Sequence, residues 1–184
     1  SGGVPRDFLT LFISLGEKMI NGNRNISKPN VIDCSIENLP NKMEAFNTDS
    51  AEEKTILEHY LQYIRNEIIN TKKWNAFLVS NSDVDNFPKI KQAIKELVDL
   101  RLIHLVNPNT SSAPGDGKRY SAYMVDIGLF PNSNPRGFTQ IEPGQKDERS
   151  REDKLRSAPK LNLSLYEDFI ASQNLTLDIH IIEN

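Results

Sequence analysis

Along the chain, helical stripes of apolar residues alternate with short strand-like runs, and the alternation is densest between 86 and 130. Ile90, Ile94, Leu97 and Val98, with Ala93 beside them, recur at i, i+4, i+7 and i+8, one stripe of an α-helix. Asn86 can cap that helix, and Pro88 fits its first turn, where a missing N–H costs little. The opposite face carries Lys89, Lys91, Gln92, Lys95, Glu96 and Asp99. Residues 102–106 then read as a short buried strand. Residues 107–118 are rich in Pro, Asn, Ser and Gly, a flexible-loop composition, and 119–126 return as a second strand.

Upstream, residues 4–22 read as a helix with Pro5 in its first turn and Gly22 as its stop. Phe8, Leu9, Phe12, Ile13, Leu15, Met19 and Ile20 cover more than half its circumference, so it needs cover on more than one side. Ser27 can cap a second helix with Pro29 in its first turn and Val31, Ile32, Ile36 and Leu39 on its apolar side; Pro40 should end or kink it. The polar stretch 41–50 reads as a linker, with a domain boundary near it. Ser50 and Glu53 form a capping box that opens a helix over about 51–70, with Leu57, Tyr60, Leu61, Ile64 and Ile68 as its stripe. Residues 74–79 read as a strand. Only 80–87 separate it from the Pro88 helix, so a helix between them is one turn or absent.

A helix followed by a β-hairpin with a long polar tip resembles the winged helix-turn-helix class, in which a helix enters the major groove and the wing touches the backbone. Past the hairpin, 131–160 is a polar, charged linker in which 136–142 reads as a short strand and 145–160, densely mixed in charge, is expected to be solvated. Ser164 and Glu167 form a second capping box, opening a helix to about 172. Leu175, Leu177, Ile179 and Ile181 alternate with polar residues, a half-buried strand that needs a partner sheet. The expected fold is α+β: a helical lid-like segment over 1–48, a winged helix over 49–130, the charged linker, and a helix–strand extension over 161–184 packed on the winged helix.

Charge sharpens one part of this picture. The 184 residues carry a net charge of −3, so the whole chain is no basic nucleic-acid binder. Residues 89–120 hold six Lys or Arg against three acids, a net of +3, whereas 161–184 hold four acids and no Lys or Arg. A locally basic module is compatible with nucleic-acid contact. On the Pro88 helix, Lys89, Lys91 and Lys95 would neutralise phosphates and Gln92 could read an adenine edge, with Lys118 and Arg119 joining them from the wing. The same residues also fit a solvated helix face, since Glu96, Asp99 and Asp116 sit among them. The single cysteine, Cys34, allows no internal disulfide and fits a reducing compartment, here taken as the cytoplasm. No apolar run approaches the ~20 residues of a membrane span. His59, His104 and His180 lie on separate elements and make no metal cluster, and His104 and Cys34 read as packed residues.

The opening residues carry a second resemblance. Gly2, Gly3, Val4, Pro5 and Arg6, followed by Asp7, Phe8 and Leu9, are similar to the segment that opens the lid helix of AAA+ ATPases. The likeness is to the initiator and origin-recognition branch and related bacterial P-loop ATPases. That resemblance implies that Arg6, in the first turn of a helix, senses the γ-phosphate of ATP bound elsewhere in a longer parent chain. A helix N-terminus already favours anions, and a guanidinium there adds paired donors. It also implies a winged helix after the lid, in the order found here. No Gly-x-x-x-x-Gly-Lys-Ser/Thr occurs, so the phosphate cradle is missing. The expectation is therefore a C-terminal fragment that is not itself an enzyme and needs no cofactor, from a parent that takes ATP and Mg. Its partners would be DNA and the missing ATPase core, with a protein-interaction or oligomerisation module as the alternative.

Overall fold

A computed structural model describes residues 5–22, 25–44, 51–130, 139, 141, 148–166, 168, 169, 171 and 172. The fold is mixed, with helices around a three-stranded antiparallel sheet. Helix α1 (Pro5–Ile20) packs on α2 (Lys28–Glu37), and Lys18 pairs with Glu37 at 2.9 Å. The Asn30 carboxamide oxygen accepts from the Ser27 N–H at 2.9 Å, closing the start of α2. Pro40 does not simply end this helix. It sits in the first turn of a new one, α3 (Leu39–Glu44), so the expected linker begins as helix. A proline ring lacks only a donor that the first turn leaves unpaired.

Helix α4 (Ala51–Ile64) runs into a π-helical turn (Arg65–Thr71), then β1 (Ala76–Ser80), α5 (Asn81–Val84) and α6 (Pro88–Asp99). The middle helix is one turn, opened by Ser80, whose side chain accepts from the Asp83 N–H. Asn86 does not cap α6. Phe87 holds that position, while Asn86 bonds back to Ser82 and Asp83 and closes α5. Strand β2 (Ile103–Ser111) continues past the expected 106, and β3 (Arg119–Val125) pairs with both other strands, giving the order β1–β3–β2. Two register shifts, at Leu105/Asn107 and Asn107/Thr110, let the polar stretch stay in the sheet as a bulged strand.

One face of the sheet buries Phe77, Val79, Ile103 and Val125 against α4 and α6, where Leu57, Tyr60, Ile64 and Leu97 are fully enclosed. Each such side chain contributes roughly 1.5–3 kcal/mol. The other face buries Ala76, Leu78, Tyr120 and Ala122 against Ile141, Leu155 and Ala158. The second layer corrects the expectation of a solvated linker over 145–160. Residues Glu148–Arg156 form helix α7, Leu155 and Ala158 are buried, and the chain then lies along β1. Leu78 donates to the Pro159 carbonyl at 2.9 Å and accepts from the Leu161 N–H at 2.8 Å. Leu161 and Leu163 join the main core, Tyr166 and Phe169 pack on it, and Tyr63 donates to the Asn162 carbonyl. Burial, with Glu67 nearby, pushes the Tyr63 hydroxyl up to about 12.

The Ser50 and Glu167 capping residues and the Leu175 to Ile181 alternation lie outside the described residues, as does most of the 136–142 strand; Thr139 bridges Trp74. No helix among the described residues is long and apolar enough to cross a membrane.

Candidate nucleic-acid interface

Helix α6 buries Ile90, Ala93, Ile94 and Leu97, which turns Lys89, Lys91, Gln92 and Lys95 outward. Between this outer flank and the strands lies a concavity of ≈ 610 Å³. Its apolar lining comes from Val79, Val84, Ile94, Val98, Leu105 and Tyr123, and Lys91, Gln92 and Lys95 stand on the α6 wall. Leu105 is 47% exposed, a large apolar side chain facing open space. Tyr123 stacks on Phe77 with ring centroids 5.5 Å apart, which fixes that wall.

The predicted cations have local answers. Lys91 Nζ lies 2.7 Å from Asp85 Oδ1. Lys118 Nζ lies 3.0 Å from each carboxylate oxygen of Asp83, and the Lys118 hydrogen bond holds the Asp83 carboxyl below its ordinary range. Gln92 donates to Glu96 within the helix at 2.7 Å. Arg119 donates from Nε to Asn109 Oδ1 at 2.7 Å and from its terminal nitrogen to the Asn109 carbonyl at 2.9 Å, bracing the hairpin from inside. The hairpin tip is also tied down. Asp116 takes a bond from Lys160 at 2.8 Å and one from Tyr120, and Lys160 foremost holds the Asp116 carboxyl well below the usual carboxylate range. Ala113 donates to the Arg156 carbonyl at 2.8 Å.

Lys91, Gln92 and Lys95 therefore share one wall, Lys89 is exposed on the same helix, and Lys118 joins through Asp83; Arg119 serves the hairpin. Two of the lysines are paired with acids, Lys91 with Asp85 and Lys118 with Asp83, and Glu96 and Asp99 lie on the same helix as Lys89 and Lys95, so acids offset much of the positive charge of this surface. Sequence reasoning passed over Asp83 and Asp85. Their signal was the Ser80-to-Asp83 spacing of a helix start, which places two acids one turn before the lysines. Arg6 takes the second position of α1, and its side chain lies outside the described residues. His104 and Cys34 are buried, as expected. Among the described residues no group of three His, Cys, Asp or Glu could hold a metal ion.

No protein-family model, no curated protein and no solved structure matches the chain.

Proposed function

We propose that residues 51–130 are a winged helix that presents α6 and the β2–β3 hairpin to duplex DNA, within the C-terminal part of an AAA+ P-loop ATPase. The observation that carries this reading is the element order helix, strand, one-turn helix, helix, hairpin, with the sheet order β1–β3–β2. In this reading Lys89, Lys91 and Lys95 contact phosphates, Gln92 exchanges Glu96 for a base edge, and Lys118 exchanges Asp83 for a phosphate. Exposed ion pairs are worth only about 0–1 kcal/mol, so a phosphate can displace Asp83 from Lys118. Arg6 answers nucleotide held by the rest of the parent ATPase, which works in the cytoplasm with ATP and Mg; the present chain turns over nothing. The test is duplex binding by fluorescence anisotropy across a salt series. Binding that weakens steeply and linearly in log[salt] supports the reading, and no binding at ~50 mM salt ends it.

A second reading has its own support. Lys91 and Lys118 are already matched by Asp85 and Asp83, and the concavity beside them is lined largely by apolar side chains. Those features suit a protein segment better than a polyanion, making the module a protein-interaction or oligomerisation unit. Substituting Leu105 with the uncharged Ser would weaken that binding and leave a phosphate-driven one little changed.

A further inference from the structure

At the far end of α6 from its basic flank, three elements meet on one carboxylate. Lys42 of α3 is buried, with its Nζ 2.9 Å from Asp126 Oδ2, across 84 residues of chain. The same ammonium donates to the Arg101 carbonyl at 3.2 Å. Arg101 holds φ 61°, the left-handed residue of a Schellman stop to α6, with Leu102 N bonded to Leu97 O and Arg101 N to Val98 O. His104 Nε2, near the start of β2, lies 3.2 Å from the same Asp126 oxygen. The other Asp126 oxygen accepts from Gly128 N at 3.0 Å, opening the 3-10 turn (Ile127–Leu129) after β3. That turn presses against α2 so closely that a Cβ on Gly128 would stand 2.6 Å from the Ser35 carbonyl oxygen.

We propose that this junction is a latch: α2 and α3 dock as one separately openable body on the base of α6 and the hairpin, held by Lys42 and Asp126. The joint is polar at its centre, and among the described residues of α3 Leu39 packs on the main core. A polar joint of this kind opens below the free energy needed to break the apolar core around α4 and β1. Because Arg101 ends α6, His104 begins β2 and Asp126 ends β3, the state of the latch is felt at all three. Helix α1, which packs on α2, rides with it. The latch goes beyond the DNA reading and holds whatever that surface binds.

Native-state hydrogen exchange on the whole chain tests it. In the wild type, α2 and α3 amides should share one opening and exchange at least about tenfold faster than α4 and β1 amides. Lys42→Met removes the ammonium; Gly128→Ala keeps every charge and wedges α2 off its seat. Each variant should speed α2 and α3 exchange by a further factor of about ten or more; α4 and β1, which open only with the latch already open, lose protection in step, so the gap between the two sets persists. The latch is overturned if wild-type α2 and α3 exchange only with global unfolding. It is also overturned if both variants leave the α2 and α3 rates unchanged, or if the gap between those amides and the α4 and β1 amides closes.

Discussion

Lys118 crosses from the hairpin to Asp83 on α5, its ammonium 3.0 Å from both carboxylate oxygens across 35 residues of chain. The Lys118 charge just before β3 is thus matched within the chain, on the surface, until something displaces the acid. Asp83→Asn should release it. Duplex binding should tighten, because the phosphate no longer has to displace the acid, with the slope of log K against log[salt] little changed since the Lys118 contact is made in both proteins. Melting should barely move, since surface changes of this type stay within about ±0.5 kcal/mol. Unchanged affinity would place Lys118 off the DNA path.

The α6 lysines make a separate claim. Changing Lys89, Lys91 and Lys95 together to Ala should cut the salt slope by about 0.9 for each phosphate no longer neutralised, and should weaken binding to all duplexes alike. Gln92→Ala should instead change the ranking of sequences, by about 1–3 kcal/mol for a bidentate hydrogen bond to a base. A triple variant that binds like wild type moves the protein-interaction reading to the front.

Leu155 tests the second layer of the core. It is 4% exposed against Leu78 and Tyr120, and Leu155→Ala should cost about 2–5 kcal/mol in denaturant unfolding. A solvated charged linker would give a change near zero.

The pH dependence follows from Asp126. Burial alone would raise its carboxyl, but the His104 hydrogen bond and the Lys42 charge outweigh burial and hold it below its ordinary value of 3.8. A carboxyl lowered in the folded state contributes stability above its unfolded pKa and loses it as pH falls through the folded one. Stability should therefore decline below about pH 4, and Asp126→Asn should remove part of that slope while lowering stability at neutral pH. Parallel urea titrations between pH 2.5 and 7, roughly the span over which carboxylates titrate, measure both curves; equal slopes for the two proteins would refute the assignment.

Arg6 needs the longer ATPase in which this segment would sit. Arg6→Ala there should reduce ATP turnover or its response to nucleotide without altering melting. Unchanged turnover would leave Arg6 a surface residue.

The stretch from Ile90 to Val98 was legible because its burial follows a single helical period, and the few residues between β1 and Pro88 left room for one helical turn at most. The hairpin was legible in kind and misjudged in extent, because bulged strands tolerate the Asn, Pro and Ser that otherwise announce a loop. Helix α7 was hidden for a different reason. Its charges dominate composition, and burial rests on Leu155 and the small Ala158, too few to set up a period. The Lys42–Asp126 pair leaves no local trace at all, since its partners are 84 positions apart and each looks like an ordinary surface charge. The lysines of the candidate surface were named from the sequence and their acids were not, because residues 80–87 were read as one helical turn or none.

The segment beside β1 has a practical consequence. A sheet of three strands has two sides on which another chain could add. On one of them β2 is twice out of register, which spoils a flat template. On the other, Leu78 gives its N–H to Pro159 and its carbonyl to Leu161. Cutting the protein after residue 130, just past the end of the hairpin, would strip that cover and bare Leu78, Tyr120 and Ala122 together. The shortened chain would then offer an unpaired strand edge to its own copies, and the charged stretch that reads as dispensable serves as the cover of that edge.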